Sequence, residues 1–311
     1  MHLPALATAL VLAGMPTAGY LAPAADPVVP TVVSPAWLKA HLSDPKLIVL
    51  NVGPKSQYDS LHIPGARYVD FHAFTSPMKM DDKEKGLSLE LPTPARFDST
   101  LSSLGISDDS RIVIYTGAGW FTPTARLELT LEWAGYGGRV GVLDGGIEGW
   151  RRTGGGFTVE TAAVTPTRVA MKAQPGLIVT ADFVREHLND PKVVILDARD
   201  AGFYLDTIRN RMPRGGHIPG AHSVPYTSLT DSSDNLKPVA QLRQIFQAAG
   251  AAPGKTVVVY CHIGQQGSWV RFVAHSLGYD ARLYDGSFEE WSARTDLPVE
   301  GERRHAASGG Q

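Results

Sequence analysis

The chain has 311 residues, 29 Lys+Arg against 31 Asp+Glu, a formal net charge of −2 and 43% hydrophobic residues. At roughly 100–200 residues per domain, that length suggests two globular domains with real cores. The near-neutral charge, with no Lys/Arg-rich run, argues against a nucleic-acid partner, and the single cysteine, Cys261, excludes an intramolecular disulfide or a cysteine-based zinc site.

The first charged side chain is Asp26. Ala5 to Met15 is a largely apolar run, too short to span a bilayer, and Ala22-Pro23-Ala24 offers an A-x-A cleavage pattern. Residues 1–25 therefore read as a secretory signal peptide, although only His2 and the amino terminus stand where Lys or Arg is usual. The expectation is export, to a periplasm. No cysteine follows the apolar run to carry a lipid anchor, and no later stretch is long enough for a membrane span.

An internal repeat organises the rest. Val33 to Asn51 (VSPAWLKAHLSDPKLIVLN) matches Val179 to Asp197 (VTADFVREHLNDPKVVILD). His62-Ile63-Pro64-Gly65-Ala66 recurs as His217-Ile218-Pro219-Gly220-Ala221, and Ile112 to Tyr115 recurs as Val257 to Tyr260. Leu143-Asp144-Gly145-Gly146 with Trp150 recurs as Tyr284-Asp285-Gly286-Ser287 with Trp291. Landmarks in the same order mean a duplicated domain, with a period far too long for a solenoid. The halves cover 30–152 and 176–300. A Gly- and Thr-containing linker at 153–175 separates them, and a polar, disordered tail is expected at 301–311.

In the second half, Ala181 to Leu188 predicts a helix with Thr180 as N-cap. Lys192 to Leu196 predicts a strand buried on both faces, and Val239 to Ala249 a helix ended by Gly250. Thr256 to Tyr260 is the most strand-like segment, and Ser268 to Leu277 predicts a helix stopped by Gly278. Strands alternating with helices give an α/β fold: two domains, each a mostly parallel sheet flanked by helices. Ligands of such sheets bind at the carboxyl ends of strands, where Cys261 falls.

The loop Cys261-His262-Ile263-Gly264-Gln265-Gln266-Gly267-Ser268 joins that strand to a helix. Its backbone N–H groups, with the first turn of the helix, can surround the sulfur and stabilise an anion there, and the glycines allow the tight turns this requires. A cysteine in that position is expected to have a lowered pKa, with adjacent His262 adding charge or a hydrogen bond. A buried structural cysteine is the plain alternative. The strand–Cys–Gly-rich loop–helix context favours function.

The duplicated layout, both His-Ile-Pro-Gly-Ala segments, Tyr260-Cys261-x-x-Gly264 and Tyr284-Asp285-Gly286-Ser287-Phe288-x-Glu290-Trp291 resemble the tandem rhodanese sulfurtransferases over about residues 30–300. The resemblance implies two rhodanese-like domains, the second carrying the catalytic cysteine. It implies transfer of sulfane sulfur from thiosulfate or 3-mercaptopyruvate to cyanide or a thiol through a persulfide on Cys261, without metal or organic cofactor. Thr116 stands in the first half where Cys261 stands in the second, so the first half is expected to be non-catalytic.

Two departures concern the donor. The family's usual Cys-Arg-Lys-Gly and Cys-Gly-Ser-Gly loops are replaced by Cys-His-Ile-Gly, and no arginine stands near Phe203. Arg209, Arg211 and Arg214 are candidate substrate contacts instead, each weighed against a solvated loop arginine. His62 is a further candidate cleft residue, although its recurrence in both halves makes a structural role simpler. Asp197 and Arg199 read as a structural ion pair, Trp150 and Trp291 as core, and Trp120 and Phe121 as packing on the second domain or walling its cleft. Two other functions are weighed: a non-enzymatic sulfur carrier or binding module delivering to an acceptor protein, and a cysteine phosphatase. The phosphatase needs a longer loop closed by an arginine, where Gln266 and Gly267 stand.

Overall fold

A computed structural model describes residues 28–79, 86–117, 121–208, 210–301 and 303. The expected signal peptide, Arg209, Trp120 and nearly all of the tail lie outside the described residues. The first half contains β1 (Val32–Val33), α1 (Pro35–His41), β2 (Leu47–Val52), α2 (Lys55–Ser60), β3 (Arg67–Val69), α3 (Pro94–Ser103), β4 (Arg111–Tyr115), α4 (Thr122–Leu131), β5 (Val140–Leu143) and α5 (Gly146–Arg152). The second contains β6 (Ile178–Val179), α6 (Ala181–Glu186), β7 (Val193–Asp197), α7 (Ala201–Tyr204), β8 (His222–Ser223), α8 (Val239–Ala248), β9 (Thr256–Tyr260), α9 (Gln265–Ser276), β10 (Asp280–Tyr284) and α10 (Ser287–Ala293).

Among the described residues, the strands form two five-stranded sheets, ordered β1-β5-β4-β2-β3 and β6-β10-β9-β7-β8. The orders are identical once each strand number is advanced by five, so the sequence repeat is also a repeat of topology. Every pairing is parallel, with Leu50 opposite Ile114 in the first sheet and Leu196 opposite Val259 in the second. The central strands are unbroken aliphatic runs because helices cover both faces, leaving Ile112 to Ile114 and Val257 to Val259 fully buried. The short outer strands have two or three residues each, too few to show a period in the sequence.

Local chemistry explains the boundaries. Ser34 and Thr180 occupy equivalent N-caps, and their hydroxyls accept from Trp37 N at 3.1 Å and Phe183 N at 3.2 Å. Helix α9 starts three residues before the expected Ser268, because Gly264 takes a left-handed φ of +82° and acts as its N-cap. Gly267 then lies within the first turn, against the second sheet. A Cβ there would come within 2.9 Å of Leu283 Cδ1, so the missing side chain permits close helix–sheet contact. Gly278, with φ +89°, stops the helix as expected.

Trp150 and Trp291 are core residues in equivalent places, and their indole N–H groups donate to Gly156 O at 2.8 Å and Pro298 O at 2.7 Å. The connection at 153–175 runs along the first domain. Thr158 pairs with His62, Thr167 N donates to Ser102 O, and Val169 and Met171 pack on the first core. The domains meet mainly through α4 and α9. Phe121 packs on Trp269, with ring centroids 4.6 Å apart, and lies 6.3 Å from Tyr226, so it docks on the second domain as anticipated. Deeper in this interface, Arg271 bridges Glu128 at 3.2 Å and Glu132 at 2.5 Å. No helix among the described residues is long and apolar enough to cross a membrane.

Candidate active site

Cys261 follows the last residue of β9 and is completely buried. The chain turns around its sulfur so that the backbone N–H groups of Gly267, Ile263, Gln266 and Gly264 all point to Sγ. The left-handed Gly264 makes that convergence possible, and the start of α9 supplies the last two donors. Burial nevertheless pushes the thiol above its ordinary value, and the N–H groups offset that only in part. This corrects the expectation of a lowered pKa: the nest favours an anion, but full exclusion of water outweighs it in the resting site.

The loop is held from two sides. On one, Cys261 N donates to Ser287 Oγ at 3.2 Å, and Ser287 Oγ donates to Tyr284 O at 2.9 Å. Phe288 N and Glu289 N then donate to the carbonyls of Cys261 and His262 at 3.0 and 2.9 Å. On the other side, Arg199 pairs with Asp197, with Nη2 to Oδ2 at 2.6 Å, both side chains being buried. The guanidinium lies 4.1 Å from the Phe288 ring, and Tyr260 Oη donates to Asp197 Oδ2 at 2.6 Å. That pair is structural, a charge-assisted frame beneath the loop.

His262 stacks edge-on to Phe203, with centroids 4.6 Å apart. Burial, and then the charge of Arg199, bring its pKa down to about 4, so the ring is neutral at neutral pH. It therefore adds no positive charge beside the sulfur, which removes one of the two roles anticipated for it. Its Nε2 and Gln266 Oε1 are buried without a hydrogen-bond partner. Ser268 turns away, its hydroxyl bonding Gly264 O at 2.8 Å, while Gln265 Nε2 reaches Thr122 Oγ1 of the first domain at 3.2 Å.

His262 and Ile263 line a cleft of about 330 Å³ together with Lys79, Ser88, Arg211 and Glu289. Of the candidate arginines, the described Arg211 is the one beside this cleft. Arg214 takes a different place. Its guanidinium donates to the carbonyls of Trp291, Ser292, Arg294 and Leu297 at 2.7–2.9 Å, capping the C-terminal end of α10. His62 is likewise structural: Nδ1 meets Tyr58 O at 2.7 Å, Nε2 meets Glu160 O at 3.1 Å, and the ring stacks on Tyr58. His217 repeats that arrangement on Tyr204. Neither Arg214 nor His62 lines the cleft beside His262.

Several residues at the site are invisible to sequence reasoning because they come from the other half. Ser88 N and Oγ donate to Glu289 at 2.6 and 3.0 Å, and Leu91 N donates to Asp285 Oδ2 at 3.0 Å. Arg126, fully buried, forms a bidentate pair with Asp285. Glu90 lies among these groups. Burial first, then the charge of Asp285, pushes its carboxyl up to about 8, against the opposing pull of Arg126.

The arrangement is a single thiol at a strand end, ringed by backbone donors and framed by side chains of both domains. Residues 34–153 and 180–294 each match the Rhodanese-like domain family. The chain belongs to that family, as a tandem protein with two copies of the domain. Relatives of this chain are named as sulfurtransferases and, in one case, as a sulfur carrier protein. It is 30% identical over 304 residues to thiosulfate/3-mercaptopyruvate sulfurtransferase 1, mitochondrial, of Arabidopsis thaliana, covering 86% of this chain and 78% of the relative. It is 30% identical over 281 residues to 3-mercaptopyruvate sulfurtransferase of Escherichia coli (strain K12), covering 85% and 95%. It is also 30% identical over 287 residues to a sulfur carrier protein of Thermus thermophilus, covering 86% and 95%. Among solved structures, the anaerobic ergothioneine biosynthesis enzyme of Chlorobium limicola shares the fold, with a TM-score of 0.75, 23% identity, and coverage of 87% of this chain and 70% of that one.

Proposed function

We propose that this member of the sulfurtransferase family works through a persulfide on Cys261. The Cys261 thiolate attacks the outer sulfur of thiosulfate or the thiol sulfur of 3-mercaptopyruvate. The new S–S bond forms as the donor's S–S or C–S bond breaks, releasing sulfite, or the enolate of pyruvate, which takes up the donor thiol's proton. A thiophilic acceptor, cyanide or a thiol, then attacks the outer sulfur and regenerates the thiolate, a ping-pong scheme. The observation that carries this reading is the convergence of four backbone N–H groups on one buried sulfur, the only thiol of the chain. Such donors stabilise negative charge on sulfur without having to reorganise. Lys79 and Arg211 place two cations on the cleft lining, beside the carboxylate of Glu289, which lies 4.0 Å from Lys79. Export to the periplasm belongs to the same reading and rests on residues 1–25 alone.

A second reading, a sulfur carrier serving an acceptor protein, is favoured by one feature: His262 and Ile263 place no cation in the loop itself. The phosphatase reading loses its remaining support. Arg271, the next arginine after the loop, donates to Ala281 O and pairs with Glu128 and Glu132, so it is not available as a phosphate clamp. The test is thiocyanate formation from either donor with free cyanide. Turnover by the wild type and none by Cys261→Ser supports the enzyme; no turnover by wild type that still carries sulfur supports the carrier.

A further inference from the structure

Gly264 is the pivot of the catalytic turn, and it rests on residues drawn from two domains. A Cβ at Gly264 would lie 2.6 Å from Asp285 Oδ1 and 3.1 Å from Arg126 Nη1, so its Cα packs directly on that ion pair. Asp285 follows β10 of the second domain, and Arg126 lies in the middle of α4 of the first, fully buried. Arg126 also donates to Leu89 O, and Leu91 N donates to Asp285, so the pair is locked by a second segment of the first domain. Glu289, one residue beyond Phe288, is held in the same way by Ser88. Both acidic residues belong to the segment whose N–H groups bind the carbonyls of Cys261 and His262.

We propose that Arg126 of the first domain is a positioning residue for sulfur transfer: by bracing Asp285 it fixes the left-handed turn at Gly264 and keeps the loop N–H groups trained on Sγ. The domain that has Thr116 in place of a cysteine thus completes the site of its sister. This rests on the persulfide reading above and adds a role for the first domain to it. Asp285 and Arg126 do not touch the reacting atoms. Their effect passes through the geometry of Gly264, whose N–H is one of the four on the sulfur.

The test compares full-length wild type with Arg126→Met and Arg126→Lys. Sulfur loading of Cys261 is timed by intact mass at varied thiosulfate and 3-mercaptopyruvate, alkylation of the single thiol by iodoacetamide is followed against pH, and circular dichroism checks the fold. Arg126→Met is expected to load sulfur about 100-fold more slowly at saturating donor, as when one preorganised donor to a developing anion is lost. KM should change little, and the alkylation profile should move to higher pH. Arg126→Lys, which can meet Asp285 only as a point charge, is expected to fall between the two. Wild-type loading rates and an unmoved alkylation profile in both variants overturn the proposal, as does a change confined to KM. Should Arg126→Met fail to fold, wild-type behaviour of Arg126→Lys overturns it. If wild type loads no sulfur, the persulfide reading fails, while the alkylation profiles still decide whether Arg126 positions the loop.

Discussion

Ile147 N donates to the carbonyl of Thr116 at 2.9 Å, the bond that Phe288 N makes to Cys261 at 3.0 Å in the other domain. Both strand ends keep this bond, but Thr116 stands where the second domain has Cys261. Gly146 replaces Ser287 and Gly53 replaces Arg199, so the hydroxyl and the guanidinium that hold the Cys261 loop have no counterparts at these positions. Placing a thiol on this turn is therefore not enough. The double variant Thr116→Cys, Cys261→Ser is expected to take up no sulfur from thiosulfate or 3-mercaptopyruvate, measured by intact mass. A persulfide on residue 116 would contradict this.

Ser287 adopts φ +50°, a left-handed conformation that its counterpart Gly146 also adopts at +50°. Serine carries strain there that glycine does not, and its hydroxyl is the group that accepts Cys261 N–H. Ser287→Ala and Ser287→Gly both remove that acceptor, and both are expected to slow sulfur loading. Only the glycine variant relieves the strain, so it should be more stable than the alanine variant by about 1 kcal/mol in denaturant unfolding. Equal stabilities would show that the backbone is not strained at this position.

The pH dependence of loading follows from two groups. Burial raises the Cys261 thiol, so the thiolate fraction, and with it the loading rate, should keep climbing through the ordinary thiol range and beyond it. His262, at about 4, is already neutral, so no inflection near the usual histidine value is expected. A rate that levels off near neutrality would mean that the resting thiol is more acidic than its burial implies.

Glu90 links pH to stability in the opposite sense from most carboxylates. Its folded-state pKa is about 8 against an ordinary 4.5, so between those values the folded state holds a proton that the unfolded chain has released. Stability from this group is therefore present at acid pH and lost as pH rises toward 8. Glu90→Gln, which cannot ionise, should raise Tm more at pH 8 than at pH 5. An equal change at both values would place the proton elsewhere among Glu90, Asp285 and Glu289.

The duplicated α/β layout was legible because each landmark does a local job twice: Thr180 and Ser34 cap, Trp150 and Trp291 fill, and His62 and His217 stack on a tyrosine. Strand β9 was legible to the residue, and so was the cysteine after it. What escaped depends on distance along the chain. Arg126 and Asp285 are 159 positions apart, and nothing in either neighbourhood announces the other. The direction of the Cys261 shift escaped for the same reason, since it is set by tertiary burial, while the helix start and glycines signal only the opposing effect. Spacing makes Arg214 a cleft candidate because it shows only that an arginine is near a loop, not which carbonyls it reaches.

A persulfide on Cys261 is read out by intact mass after brief exposure to thiosulfate and, separately, to 3-mercaptopyruvate. The expected result is a gain of one sulfur atom with at least one donor, removed by cyanide and absent in Cys261→Ser. No gain from either donor, or an equal gain in Cys261→Ser, would rule out sulfur transfer through Cys261.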